Sequence, residues 1–368
     1  MRVLFIINSF TLAGAEKLVM DLSKAIVSQC DYVGIAALYR MGDETEEQLC
    51  AQLGGQNIKT YILDKRAGKD EVSTVGKAVR IVKAEKPDVI HGHCSVPMLV
   101  GKLAGFLTAT PVIATVHNTR GYSPARERLT GWMCRRYVSI GAAAEAYMAD
   151  TLKIPRKKIL RIPNAVDAAY FAPAPRIRGF WKEYGLREDL PVVLNIGRVV
   201  RQKNQMCLLR ALAGCRDRGK PVQCVILGGY DENAPVYQQM KAFIEANALG
   251  ELVTFLGQRQ QVASFLTNAD AFVMTSFYEG FSVSFLEALF CGTPVVVTRM
   301  PFVEELEEIG TCATVIPQDD PEALRDVLLS GAVCVPDEQT LGQIRSRFSM
   351  DAFAQQHLAL YHEISCNR

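Results

Sequence analysis

Short apolar runs alternate with stretches whose apolar residues recur every three or four positions, and the pattern is played twice along the chain. Arg2 to Ile7 (RVLFII) predicts a buried strand, Asn8 to Ala15 a loop, and Glu16 to Ser28 a helix with Leu18, Leu22 and Ile26 on one face. Further strands are predicted at Tyr32–Tyr39, Asn57–Leu63, Val89–His91, Val112–His117 and Tyr137–Ile140, with helical stretches between them. Such alternation predicts a parallel sheet with crossover helices. Arg161 to Asp167 (RIPNAVD) reads as a last strand ending in a turn. Phe171 to Arg178 (FAPAPRIR) is proline-rich, cannot join a central ladder, and predicts a linker, with a boundary between 170 and 185. The alternation restarts at Val192–Ile196 and continues through Val222–Leu227, Leu252–Leu256, Ala271–Thr275, Pro294–Val297 and Ala313–Ile316, which predicts a second parallel sheet.

In open sheets of this kind ligands bind at the carboxyl ends of the strands, so the residues there carry the candidate chemistry. Gly14 would let backbone approach a ligand, with free N–H groups at a helix start available to an anion, although the G-x-G-x-x-G dinucleotide fingerprint is absent. Arg198 and Lys203 follow the Val192–Ile196 strand and would suit a diphosphate, one as a bidentate fork and one as a point charge. Gly228 and Gly229 form a glycine turn, and Leu256 before Gly257 offers an apolar slot for a flat base. Ser276 to Glu287 (SFYEGFSVSFLE) places Glu279 in a loop and Glu287 on a helix, about 12 Å apart if all eight steps were helical. That is too far to share a proton or an ion, and it suits two contacts along an elongated ligand. A helix-start charge and a surface glutamate would satisfy the same pattern. His117 ends PVIATV and would face the crevice as a neutral hydrogen-bonding imidazole. His91 and His93 point the same way from one strand but have no third ligand nearby, so they read as structural.

Composition narrows the class. Nearly half of the 368 residues are apolar and under a quarter are charged, which excludes a disordered chain and predicts two domains. No apolar run approaches the length of a membrane span, no signal peptide is recognisable, and the expected location is the cytoplasm. Eleven cysteines, without a C-x-x-C pair, read as free thiols. Charge is split: 25 Lys and Arg against 16 Asp and Glu through residue 178, a net +9, and 16 against 23 thereafter, a net −7. The excess collects at Arg120, Arg126, Arg128, Arg135 and Arg136, and again at Lys153, Arg156, Lys157, Lys158 and Arg161. Such clusters attract phosphates or an anionic membrane surface, and solvated helix faces would look alike. The acidic second half and the lack of a basic, aromatic-studded motif argue against a nucleic-acid binder.

Taken together, GAE at 14–16, HN at 117–118, NAVD at 164–167, GRVVRQKN at 197–204, LGG at 227–229, FLG at 255–257, EGFSVSFLEAL at 279–289 and GTPVVV at 292–297 resemble the retaining glycosyltransferases of family 4. The resemblance implies the α/β fold called GT-B, two Rossmann-like doubly wound domains facing a central cleft. It implies residues 1–175 as the acceptor-side domain and 185–345 as the nucleotide-sugar domain. Residues 346–368 would carry a C-terminal helix, about Met350 to Ile364, crossing back to the first.

By the same resemblance, Glu287 would accept the ribose hydroxyls, while Glu279 with the backbone of Gly280, Phe281 and Ser282 would hold the sugar hydroxyls. Arg198 and Lys203 would neutralise the diphosphate, Gly14 would approach it from the other lobe, and Gly228 and Leu256 would line the nucleotide. His117 would contact the sugar. The implied reaction moves a hexose-type sugar from a nucleoside diphosphate, with UDP the expected nucleotide, to a glycan, lipid-linked or glycolipid acceptor, with retention and by front-face displacement. It would need no metal or other cofactor, and the sequence has no D-x-D element. The basic first half suggests peripheral association with a membrane. A sugar-nucleotide epimerase, a phosphorylase-like enzyme or a silent nucleotide-sugar-binding subunit are the competing readings. The chain departs from the family pattern at Leu12–Ala13, at Ala165 in NAVD, and at the glycine-free TRMPFVEE of residues 298–305.

Overall fold

The structure, a computed structural model, describes residues 1–12, 14–66 and 70–366. It divides into two compact units, Met1–Ala165 with Phe348–Arg368, and Val166–Arg347.

The first unit is a seven-stranded parallel sheet in the order β3-β2-β1-β4-β5-β6-β7. Its strands are β1 (Arg2–Ile7), β2 (Tyr32–Ala37), β3 (Ile58–Ile62), β4 (Val89–His93), β5 (Val112–Val116), β6 (Arg136–Ser139) and β7 (Ile159–Arg161). β2, β4 and β5 are buried at every position, as strands covered on both faces must be. The final strand is shorter and earlier than the RIPNAVD pattern predicted: it ends at Arg161, since Pro163 has no N–H to give the ladder. The C-terminal helix Met350–Cys366 carries Phe353, Ala354, Leu358, Tyr361 and Ile364 at helical spacing into the core that contains Val3, Phe5, Leu18 and Leu22. At roughly 1.5–3 kcal/mol per large apolar side chain, that strip is a main term in the stability of the first unit.

The second unit is a six-stranded parallel sheet in the order β10-β9-β8-β11-β12-β13. Its strands are β8 (Val192–Ile196), β9 (Gln223–Leu227), β10 (Val253–Gly257), β11 (Ala271–Met274), β12 (Val295–Thr298) and β13 (Thr314–Ile316). Residues 171–178 do not hang free as a linker. Arg176 pairs with Asp270 at 2.7 Å and donates to the Ala269 carbonyl, and the Ile177 N–H donates to Asn268 Oδ1 at 2.6 Å.

The fold is thus two doubly wound α/β sheets, as the alternation predicted. Strand order reverses between β1 and β4 in one and between β8 and β11 in the other, the places where such sheets leave a crevice for ligands. No helix among the described residues is long and apolar enough to cross a membrane. The eleven cysteines are free.

Candidate functional site

In the second unit, the loops after β8 and β11 meet at the reversal of strand order. The Phe277 N–H donates to the Gln202 carbonyl at 2.9 Å, and Gln202 Nε2 returns a bond to the Tyr278 carbonyl at 2.8 Å. Thr275 Oγ1 donates to the Asn204 carbonyl and Thr298 Oγ1 to that of Ser276, both buried. This lattice fixes Lys203 and Glu279 against each other: Lys203 Nζ lies 2.6 Å from Glu279 Oε1, which also accepts from Ser276 Oγ at 2.8 Å. Both side chains are largely buried, at 19 % and 12 % exposure. The sequence had given them separate ligand contacts; the structure joins them into one pair. Arg198 is exposed, and its guanidinium has no carboxylate partner among the described residues, while its carbonyl accepts from Gln205 Nε2.

Glycines set the path of three neighbouring strand ends. A Cβ on Gly197 would meet Lys203 Cε at 2.8 Å, so the lysine stem needs the bare glycine beneath it. A Cβ on Gly228 would collide with the Gly197 carbonyl. The Gly197 N–H donates to the Leu227 carbonyl at 2.8 Å and the Gly228 N–H to the Gly257 carbonyl at 2.9 Å, tying the ends of β8, β9 and β10 together. Leu256, next to that turn, is half-buried.

Ser282 caps the helix Val283–Cys291, its Oγ accepting from the Phe285 N–H at 3.3 Å. Glu287, one turn further along, is 6 % exposed. The Phe281 ring is buried with its centroid 5.5 Å from that of Phe302, so at Gly280–Ser282 the backbone, not the phenyl ring, is what a ligand could meet. Phe302 belongs to the helix Pro301–Glu307, formed by the TRMPFVEE stretch, and it also packs on Phe285. The glycine-free stretch therefore acts as a wedge under this loop.

In the first unit, Gly14 begins the helix Gly14–Ile26 and is exposed. Apart from its chain neighbours and its own helix backbone, a Cβ there would meet nothing within 4 Å among the described residues. Ala13 lies outside the described residues. Ala165 has negative φ, so alanine sits in NAVD without strain.

His117 follows β5, half-buried, with its Nε2 2.9 Å from His93 Nδ1. Its backbone N–H donates to Tyr122 Oη at 3.1 Å. His93, His91 and His357 continue into a buried cluster, and burial holds all four imidazoles below their ordinary range, His117 and His357 at about 4. His91 is tied to Tyr361 on the C-terminal helix at 2.8 Å and to Thr115 at 2.7 Å. Spacing alone described His93 as structural; its bond to the candidate His117 shows only when β4 and β5 are paired. No group of three or more metal-binding side chains occurs among the described residues.

Of the residues singled out in the sequence, Arg198, Lys203, Gly228, Glu279, Gly280, Phe281, Ser282 and Glu287 lie on the second unit in or just after the strand-end loops, Leu256 near the end of β10, and Gly14 and His117 on the first unit.

Known proteins resemble the chain along most of its length. The family model described as Glycosyltransferase Family 4 matches residues 12–170, and the one described as Glycosyl transferases group 1 matches residues 180–330. The putative glycosyltransferase EpsF of Bacillus subtilis is 24% identical over 314 residues, covering 81% of this chain and 79% of that protein. The UDP-Gal:alpha-D-GlcNAc-diphosphoundecaprenol alpha-1,3-galactosyltransferase of Escherichia coli is 27% identical over 236 residues, 60% of each. Among solved structures, Anabaena HepE in complex with UDP and glucose superposes with a TM-score of 0.83 at 20% identity, covering 99% of this chain and 100% of that one.

Proposed function

We propose, from the premise that the chain belongs to the glycosyltransferases of family 4 and group 1 and has their GT-B fold, that it transfers a hexose-type sugar from UDP to a lipid-linked glycan acceptor, with retention of configuration. The observation that carries the donor assignment is the Lys203–Glu279 pair at the reversal of strand order, with Arg198, whose guanidinium has no carboxylate partner among the described residues, in the same loop as Lys203, and the buried Glu287 on the helix after the loop of Glu279.

The second unit would hold the donor. Glu287 accepts the ribose hydroxyls, and the turn at Leu256 and Gly257 receives the base. Arg198 and Lys203 take the diphosphate, supplying as protein charge what a metal ion would otherwise supply. When the diphosphate reaches Lys203, Glu279 is released towards the sugar hydroxyls with the Gly280–Ser282 backbone. The bond from the anomeric carbon to the diphosphate oxygen breaks as the acceptor oxygen bonds on the same face, and the acceptor proton passes to the departing phosphate. His117, neutral, donates a hydrogen bond to the sugar. UDP is favoured because the E. coli relative is named for a UDP-galactose donor and the Anabaena neighbour was crystallised with UDP and glucose. The same relative is named for a diphosphoundecaprenol acceptor, which supports the lipid-linked reading.

A thermal-shift panel of UDP, GDP and ADP, free and sugar-linked, on the wild type and Glu287→Ala tests it. At about 100 times its dissociation constant a ligand should stabilise the protein by roughly 2.7 kcal/mol. One nucleotide should shift the wild type and fail on the variant; equal shifts in both would remove Glu287 from the site. Conversion of the nucleotide sugar without acceptor would instead favour an epimerase.

A further inference from the structure

The sequence placed the anionic-surface contact at two basic clusters, and the structure spends part of that charge internally. Arg161 pairs with Glu145 at 2.8 Å, Arg156 lies 3.5 Å from Asp150, and Arg136 pairs with Glu363 at 2.6 Å. Lys158 donates to the carbonyls of Gly131 and Cys134. That last contact brings the two clusters to one place, the 3-10 turn Gly131–Met133 ahead of β6.

Four large apolar side chains are exposed around this turn. Phe106 is 56% exposed, Leu107 61%, Leu129 74% and Trp132 61%. Phe106 and Trp132 touch edge to face, with ring centroids 5.3 Å apart, and Trp132 Nε1 donates to the Leu129 carbonyl at 2.9 Å. They therefore form one patch and not scattered residues. Beside it runs a groove of about 590 Å³ lined by Lys83, Lys86, Phe106 and Leu107. Both lysines are exposed, as are Arg128, Arg135 and Lys157. Between residues 103 and 135 the only carboxylate is Glu127, and it is buried against Lys102 at 2.5 Å. The patch thus combines aromatic and leucine side chains with cations and no exposed acid in that segment. A second copy would bring like charges together. A lipid headgroup layer meets both needs: phosphates for the lysines and arginines, and the acyl boundary for tryptophan, phenylalanine and leucine.

We infer that Phe106, Leu107, Leu129 and Trp132, with Lys83 and Lys86 in the adjoining groove, form a docking face for an anionic phospholipid surface. The face lies at the amino edge of the first sheet: the helices Glu71–Glu85 and Ser95–Thr108 end there before β4 and β5 begin, and the turn Gly131–Met133 precedes β6. Gly14 and His117 lie at the opposite, carboxyl edge, about 16 Å away along a five-residue strand. Substitutions at the face therefore leave Gly14 and His117, the candidate residues of the first unit, untouched. The inference rests on the reading of the acceptor as lipid-linked, and it fixes which surface meets the lipid.

The full chain carrying Trp181→Phe leaves Trp132 as the only tryptophan, since the sequence has two. It is mixed with vesicles of phosphatidylcholine alone or with phosphatidylglycerol. Co-sedimentation with the anionic vesicles, a blue shift of Trp132 emission and its quenching by bromine on the upper acyl chain are the expected results, all weakened by salt. Phe106→Ser with Leu107→Ser, and separately Lys83→Glu with Lys86→Glu, should each lower vesicle binding at least tenfold; Lys220→Glu, at an exposed lysine of the second unit, should not. Vesicle binding without a Trp132 shift, or binding untouched by both pairs of substitutions, overturns the assignment. So does a dimer by sedimentation equilibrium that Phe106→Ser with Leu107→Ser converts to monomer, because the face would then be covered by a second copy. The UDP thermal shift of the same variants is read in parallel: its absence in the wild type sinks the donor-site reading and leaves the vesicle result to stand or fall by itself.

Discussion

Lys203 and Glu279, 76 positions apart in the chain, are in direct contact, Nζ to Oε1 at 2.6 Å, at the point where the strand order of the second sheet reverses. A largely buried ion pair is weak as a source of stability, because desolvation offsets the attraction, yet removing one partner strands the other charge. On the proposed reading, the pair keeps two donor-contacting groups in register before the donor arrives.

Lys203→Met should therefore destabilise the protein by about 1–3 kcal/mol and lower kcat/KM by at least ~100-fold. The double variant with Glu279→Gln should recover much of the stability and none of the activity. Calorimetry alongside transfer assays decides it, and recovered activity in the double variant would end the clamp assignment.

Gly14→Ala separates protein from ligand. With no protein atom near the added Cβ, stability should hold or rise by up to about 1 kcal/mol, since alanine is the better helix residue. Donor affinity should fall about tenfold or more if the backbone approaches the phosphates, as titration of the UDP-sugar would show; unchanged affinity would remove Gly14 from the site.

The His93–His117 contact fixes a tautomer. His93 Nε2 is buried without a hydrogen-bond partner among the described residues, and a bare acceptor is less costly there than a stranded N–H. The proton of His93 then sits on Nδ1 and is donated to His117 Nε2, so His117 carries its proton on Nδ1. Nitrogen-15 spectra of the imidazoles should show that form in the wild type and in His93→Asn, whose amide can still donate, and a mixture in His93→Leu. A protonated Nε2 on His117 in the wild type contradicts the assignment.

Acid should loosen the first unit before the carboxylates titrate. The folded values of His117 and His357, about 4, lie below the ordinary 6.5, so the unfolded chain takes up protons first as pH falls. Stability is full above about 6.5 and drops towards 4, by about 1.4 kcal/mol per pH unit for each such histidine. Urea midpoints between pH 7 and 5 should fall accordingly, and His357→Leu should flatten the slope; a slope unchanged in that variant would show that His357 does not carry it.

The two parallel sheets were legible in the chain because each strand is a short apolar run and each crossover helix repeats at 3.6 residues. Arg198, Lys203, Glu279 and Glu287 could be singled out because strand ends are visible in the pattern. The pairing of Lys203 with Glu279, the bond from His93 to His117 and the wedge of Phe302 under Phe281 could not, since each joins residues on separate elements whose register no local pattern encodes. The RIPNAVD strand was misplaced for a local reason: the apolar run continues past a proline that the ladder cannot use. Exposure was equally hidden, as Phe106 and Leu107 look like core positions on an apolar helix.

The C-terminal helix belongs to the same compact unit as β1, so the second unit is an insertion in the first, and the chain passes between them twice. On a ribosome, residues 166–347 can close their own core as soon as they emerge. The strip of the first core that Phe353, Leu358 and Tyr361 will cover stays open until the C-terminal helix Met350–Cys366 has been made. Until then the first half is a client for whatever binds nascent apolar surface, and a chain stopped near Phe348 should keep the core of its second unit while that of its first stays open.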